Sequence, residues 1–301
     1  TFTCSSAKLK TLRQQLFNET YNADEALRSL HKIQESFDQR SNAVVAMFMN
    51  GLFMRELHLI QRLVAWKRRY AAAIPTWVEI TGELDVLVSL ANYKYNHPDF
   101  IHPTPGDNQL LRGTAIGHPL LPANECVTND FEVARLHEFY IITGANMAGK
   151  STFMKSFGIT VFLAHVGFPV PAKEMEFSVQ NGMFTTINLS MGYSHFYAEV
   201  LRVKKVAQQV RQTQHLIVVF DELFRGTNVK DAYDATVAVT EAFAGIRNCT
   251  FIISTHIIEA GEVLKERCDN INFVYLPTKM EGSKPVYTYT LAPGITYDDR
   301  E

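Results

Sequence analysis

The sequence predicts an α/β domain over residues 111–301, preceded by an all-helical unit over residues 1–110. Three observations carry this prediction. The octet Gly144-Ala145-Asn146-Met147-Ala148-Gly149-Lys150-Ser151 fits G-x-x-x-x-G-K-[ST] and lies between an apolar run and a helix-like stretch. Apolar runs of β type at residues 139–143, 216–220 and 251–255 alternate with helical stretches, the pattern of parallel strands joined by crossover helices. Residues 7–92 hold few Gly or Pro and repeat apolar side chains at helical spacing. With 301 residues, 47% hydrophobic and 20% charged, the chain can bury a large core.

Taken in chain order, Leu52, Leu57, Ile60, Leu63 and Val64 mark one face of a long helix that Asn42 is placed to cap and that continues toward Tyr70. Pro75 and Gly82 interrupt the pattern before another helix over residues 83–95. Residues 96–122, rich in Pro, Gly, His and Asn, read as irregular or short-strand structure, with the boundary near Leu110. Toward the end, residues 271–276 and 286–291 flank the turn-like Glu281-Gly282-Ser283-Lys284 and predict an antiparallel hairpin.

A formal net charge of -2 argues against a uniformly basic nucleic-acid binder, though a local basic surface fits within a balanced total. Uninterrupted apolar runs such as residues 44–49 fall far short of the roughly 20 residues a membrane helix needs. Cys4, Cys126, Cys249 and Cys268 are scattered without C-x-x-C spacing, so neither a zinc site nor a disulfide framework is suggested, and a reducing cytoplasm fits best. There is no initiating Met or signal peptide, and the chain stops at Asp298-Asp299-Arg300-Glu301, which predicts a fragment of a longer protein.

The octet points to a phosphate site. Gly144 and Gly149 permit turns that a side chain would obstruct, so that consecutive N–H groups face an anion at the positive end of the following helix. Lys150 would reach the β and γ phosphates of ATP, and the Ser151 hydroxyl would ligate Mg²⁺. A glycine turn with an exposed lysine is the plainer reading, but the pattern arises by chance in only roughly 1% of chains this long at average residue frequencies.

The strand at residues 216–220 ends in Asp221-Glu222, a costly place for unpaired carboxylates. At the carboxyl edge of a parallel sheet, the Walker B position, Asp221 would hold Mg²⁺ and Glu222 would orient or deprotonate water. Alone, such a run is an ordinary strand-to-loop transition; the upstream octet favours chemistry. His256 follows the 251–255 strand, where imidazole can bond the γ phosphate or the attacking water. A structural histidine is the commoner case at a strand end, and the company of Lys150 and Glu222 tips the balance. The other histidines form no H-E-x-x-H pairing.

With these residues in view, the chain resembles a known family. Thr143-Gly144-Ala145-Asn146-Met147-Ala148-Gly149-Lys150-Ser151-Thr152 is similar to the P-loop of the MutS DNA mismatch repair ATPases, in which Asn-Met within the loop is unusually diagnostic. The likeness continues in order and spacing through Gly192-Tyr193-Ser194-His195-Phe196, Asp221-Glu222-Leu223-Phe224-Arg225-Gly226-Thr227-Asn228 and Ser254-Thr255-His256. Upstream, residues 83–91 and Gly117-His118-Pro119 resemble the segments that lead from that family's helical lever into its ATPase domain, so the resemblance covers roughly residues 80–300.

The resemblance implies an ABC-type ATPase preceded by a helical lever or connector. It also implies a homodimer in which ATP bound to Gly144, Ala145, Asn146, Met147, Ala148, Gly149, Lys150, Ser151 and Thr152 of one subunit is completed by Ser194 of the other. Residues 225–231 match the loop that links the two sites, and equally suit a polar helix cap supplied by Asn228 or Asp231. Two departures stand out. The family has Gly where Ala148 stands and an adenine-stacking aromatic where Cys126 or Val127 falls; Tyr289, on the predicted hairpin, lies near another adenine-packing position, with an ordinary core or surface aromatic as the plainer reading. The helices before residue 80 match the family poorly, and the mismatch-reading, clamp and C-terminal dimerising regions have no counterpart.

The expectation is therefore ATP hydrolysis serving DNA mismatch repair or recombination. Double-stranded DNA would be bound through regions outside this chain, and other repair proteins are possible partners. Its rival is an ATP-dependent dimerisation switch with little turnover and no part in mismatch recognition. A small-molecule kinase would need an Arg-rich lid, and the segment around Ser194 argues against it.

Overall fold

A computed structural model of the chain describes residues 5–17, 22–38, 54–106, 111–186, 195–224, 228–281 and 284–295. Two compact units divide between Asn96 and His97. Asn42, Leu52, Ser194 and residues 225–227 lie outside the described residues, as do the turn residues Gly282 and Ser283.

Helices make up the first unit: α1 (Ala7–Leu16), α2 (Ala23–Asp38), α3 (Arg55–Tyr70) and α4 (Ile74–Asn96). The Asn22 side chain accepts from Glu25 N at 3.2 Å at the start of α2, where Asp24 and Glu25 also meet the positive helix end. Ala23 and Ala26 are small enough to bring rings close, so Tyr70, Ala73 and Trp77 pack against them, with the Trp66 indole donating to Ala26 O at 2.8 Å. The long helix ends at Tyr70 and a 3-10 turn at Ala71–Ala73 interrupts the run just before Pro75, but the next helix starts at Ile74 rather than at residue 83 and runs unbroken through Gly82. Pro75 falls in the first turn, where its missing N–H has no intrahelical partner to lose. Gly82 costs about 1 kcal/mol against alanine, an amount the rest of a 23-residue helix absorbs.

The second unit is mixed α/β. Short strands β1 (Thr104–Pro105), β2 (Leu111–Ile116), β3 (Asn129–Val133) and β5 (Glu174–Phe177) form one sheet in the order β1-β5-β2-β3. A second sheet comprises β4 (Phe139–Thr143), β6 (Gly182–Thr186), β7 (Leu216–Phe220), β8 (Thr250–Ser254), β9 (Ile271–Tyr275) and β12 (Ala292–Pro293). Its order is β12-β9-β4-β8-β7-β6, all neighbours parallel except the edge strand β12. Helices α5 (Lys150–His165), α6 (His195–Gln212), α7 (Val229–Ala244) and α8 (Ile258–Arg267) alternate with these strands.

Every residue of β4, β7 and β8 is buried, which explains why they read as continuous apolar runs: a parallel strand covered on both faces has no polar side. Phe139, Phe220, Phe243 and Phe251 stack through this core with successive ring centroids 4.9–5.8 Å apart. Register brings the three carboxyl ends level, Ile142 lying opposite Ser254 and Phe220 opposite Ile253. Whatever follows Thr143, Phe220 and Ser254 therefore meets at one edge. Asn228 caps α7, its Oδ1 accepting from Asp231 N at 2.9 Å while its Nδ2 donates to Asp231 Oδ2 at 2.6 Å.

The predicted terminal hairpin is corrected. Residues 271–275 do not pair with 286–291; they join the main sheet beside β4 as β9, and the hairpin is instead β10 (Thr278–Glu281) with β11 (Lys284–Tyr287). An apolar strand gains more from a buried parallel neighbour than from an exposed ribbon. Tyr289 follows the hairpin, with φ +56°. No described helix is long and apolar enough to cross a membrane.

Candidate functional site

At the carboxyl edge of β4 the chain turns through the 144–149 loop into α5. Gly144 has φ +143°, and a Cβ there would meet Leu276 O at 3.0 Å; Gly149 has φ +101°, and a Cβ there would meet the Tyr289 ring at 2.9 Å. Both glycines are thus required by backbone angle and by close approach. Met147, also left-handed at φ +70°, and Asn146 are exposed, Ala145 is half-buried, and Ala148 is buried, its N–H donating to Ala145 O at 3.2 Å. Thr152 is exposed one residue beyond Ser151 in the first turn of α5.

Lys150 is 3% exposed, a burial that an ammonium tolerates only with partners. Its Nζ donates to Gly144 O at 2.6 Å and Ala145 O at 3.0 Å, and lies 3.9 Å from Glu222 Oε1. The loop thus holds a cation against its own carbonyls, within reach of a carboxylate from the neighbouring strand end.

Asp221 and Glu222 leave β7 at the same edge. Asp221 Oδ1 accepts from Ser151 Oγ at 3.1 Å and from Ser254 Oγ at 2.8 Å, while Ser254 Oγ accepts from Glu222 N at 2.9 Å. One fully buried hydroxyl therefore ties both acids to β8. Glu222 is held at φ +49°, an uncommon angle for a residue with a side chain, and its inward N–H is what that angle supplies to Ser254. His256 is exposed at the same edge, two residues past Ser254.

The structure thus brings together Lys150, Ser151, Asp221 and Glu222. Sequence reasoning missed the hydroxyl of Ser254 that joins the two acids. The available signal was a serine at the end of a fully apolar strand, where an unpaired hydroxyl would be costly. A serine hydroxyl beside a carboxylate suits a hard divalent cation that draws its remaining ligands from phosphate oxygens and water. Among the described residues no group of three or more His, Cys, Asp and Glu side chains could make an all-protein cage.

Beside the loop lies a cavity of about 340 Å³ lined by Ile116, His118, Val127, Thr152 and Phe153, with Tyr289 and Gly149 at one wall. That volume is at the lower end of small-molecule pockets, about 300–1,000 Å³. Burial, aided by Lys155, lowers the pKa of His118, whose Nδ1 accepts from Leu120 N at 3.2 Å. Cys126 also lines the cavity, its sulfur accepting from His118 N at 3.2 Å.

Residues 140–299 match the family described as MutS domain V. The chain is 27% identical over 289 residues to the DNA mismatch repair protein MutS of Anaplasma phagocytophilum, covering 94% of this chain and 33% of that protein. It is 32% identical over 245 residues to a MutS of Thermus thermophilus, covering 80% and 29%, and 33% identical over 232 residues to that of Thermus aquaticus, covering 75% and 27%. The chain spans about a third of the length of these relatives or less.

Proposed function

The chain belongs to the MutS family, and on that premise we propose that its α/β unit is a P-loop ATPase of ABC type that hydrolyses ATP to ADP and phosphate in the service of DNA mismatch repair. One observation carries the reading: Ser151 Oγ meets Asp221 Oδ1 at 3.1 Å, and Lys150 Nζ lies 3.9 Å from Glu222 Oε1, all at the carboxyl edge of a parallel sheet. In this reading the 144–152 segment wraps the phosphates and Lys150 exchanges its loop carbonyls for β and γ oxygens. Ser151 and Asp221 would hold Mg²⁺, which would supply charge neutralisation at the phosphates.

Glu222 accepts the proton of the water that closes on the γ phosphorus as the bond to the ADP oxygen breaks. Lys150 bears on the negative charge that develops. His256 orients the water or senses the γ phosphate from the end of β8. Tyr289 packs on the base in the 340 Å³ cavity, a role otherwise open because Cys126 and Val127 offer no ring.

Ser194 acts from a second subunit, which makes turnover depend on dimer geometry, and the helical unit serves as a lever that transmits nucleotide state. Double-stranded DNA is engaged through parts of the protein outside this chain. The test is Glu222→Gln. MgATP affinity should persist while phosphate release at saturating ATP slows by about 10²- to 10⁴-fold, and turnover equal to the parent's would remove Glu222 from the role.

A further inference from the structure

Tyr289 lies far along the chain from the loop it touches, and its backbone is left-handed, an angle that its Cβ disfavours. Something must hold it there. Asn129, the first residue of β3 and only 7% exposed, turns both the nitrogen and the oxygen of its side-chain amide to this segment. Its Nδ2 donates to Tyr289 O at 3.0 Å and its Oδ1 accepts from Leu291 N at 2.6 Å. The two partners fix the amide's orientation, since a carbonyl needs the NH₂ and an N–H needs the oxygen. Thr288 adds a lesser tie, its hydroxyl donating to Pro277 O at 3.0 Å. Asn129 also lines the cavity that Tyr289 and Gly149 border, so the clamp and the ring it positions face one space.

We propose that Asn129 is a positioning residue for nucleotide affinity: by gripping residues 289 and 291 from the rigid start of β3, it holds the Tyr289 ring against Gly149, where it stacks on the base. The inference rests on the nucleotide-binding reading above. Asn129 contributes to the base half of the ligand only; phosphates are held by the loop, which it does not touch by any side-chain hydrogen bond.

The test compares MgATP with magnesium tripolyphosphate, which carries the phosphates without the base, by calorimetric titration of the 301-residue chain. Asn129→Ala should weaken MgATP about threefold to tenfold, the range of one aromatic stack, and leave tripolyphosphate unmoved. Tyr289→Ala should do the same, and the double variant should be no weaker than Tyr289→Ala alone. If Asn129→Ala fails to fold, Asn129→Ser decides, because it is uncharged, keeps a polar group at the site and is too short to grip both Tyr289 O and Leu291 N. Its expected signature is the same loss for MgATP alone.

Unchanged MgATP binding, equal losses for both ligands, or additive losses in the double variant would overturn the clamp while leaving the phosphate loop standing. A parent chain that binds neither ligand would overturn the nucleotide reading and the clamp with it.

Discussion

Replacing Ser254 by alanine removes one oxygen from the point where β8 meets the two acids of β7, and the cost can be worked from its bonds. The hydroxyl accepts from Glu222 N at 2.9 Å and donates to Asp221 Oδ1 at 2.8 Å in a site with no solvent access to the serine. Deletion leaves a Glu222 N–H without its acceptor, worth about 1–3 kcal/mol, and takes from Asp221 one of two hydroxyl donors, about 1 kcal/mol more. The expected destabilisation of the α/β unit is thus about 2–4 kcal/mol. Trp66 and Trp77 both lie in the helical unit, so indole fluorescence does not monitor the α/β unit directly.

Cys249 does: it is fully buried in the α/β core and burial pushes its thiol pKa up, so alkylation in rising urea reports the opening of that unit. Ser254→Ala should lower the urea midpoint of Cys249 alkylation at unchanged slope. In turnover, releasing Glu222 from its φ of +49° displaces its carboxylate, and a shift of about 1 Å costs on the order of 10²-fold in rate, with MgATP affinity kept. A midpoint shift worth less than about 0.5 kcal/mol, the size of an ordinary surface change, would refute the argument that this hydroxyl holds the acids in place.

The composite site predicts that Lys150→Ala and Ser194→Ala chains, each nearly inactive, recover part of the phosphate-release rate when mixed; mixed dimers seen by mass measurement without recovery would place Ser194 outside a partner's site. Gly149→Ala forces a Cβ to 2.9 Å from the Tyr289 ring at φ +101°, so MgATP affinity should fall about tenfold or more through strain and ring displacement, and calorimetric affinity equal to the parent's would contradict the close approach. Burial, with Lys155 nearby, lowers the pKa of His118, so the unfolded chain takes up a proton below about 6.5 that the folded one resists. Stability should therefore fall as pH drops below that value, and His118→Gln should lose less between pH 7 and 5 in denaturant midpoints; identical pH profiles would show that His118 carries no such linkage.

Much of the site was legible because its parts are local. Gly144 and Gly149 mark turns, Lys150 and Ser151 open a helix, and Asp221 and Glu222 end an apolar run, each readable within a few residues. The three strands behind them were legible because complete burial leaves an uninterrupted apolar signature. Pairing was not. Residues 271–275 have the composition of a strand whether they enter the sheet or a hairpin, and only pairing with the buried β4 decided between them. Gly82 read as a break for the same reason, since local punctuation does not reveal what a helix gains over its whole length.

By itself, then, the sequence determined the α/β character, the glycine loop and the pair of acids at a strand end. The tertiary structure alone decided that Ser254 joins those acids, that Tyr289 rests on Gly149, and that Asn129 grips the chain 160 and 162 residues further on. Such contacts repeat at no period and follow no turn chemistry. The entropy of closing a loop grows only as the logarithm of its length, so packing can join residues at any separation, and nothing in the intervening sequence records which ones it joins.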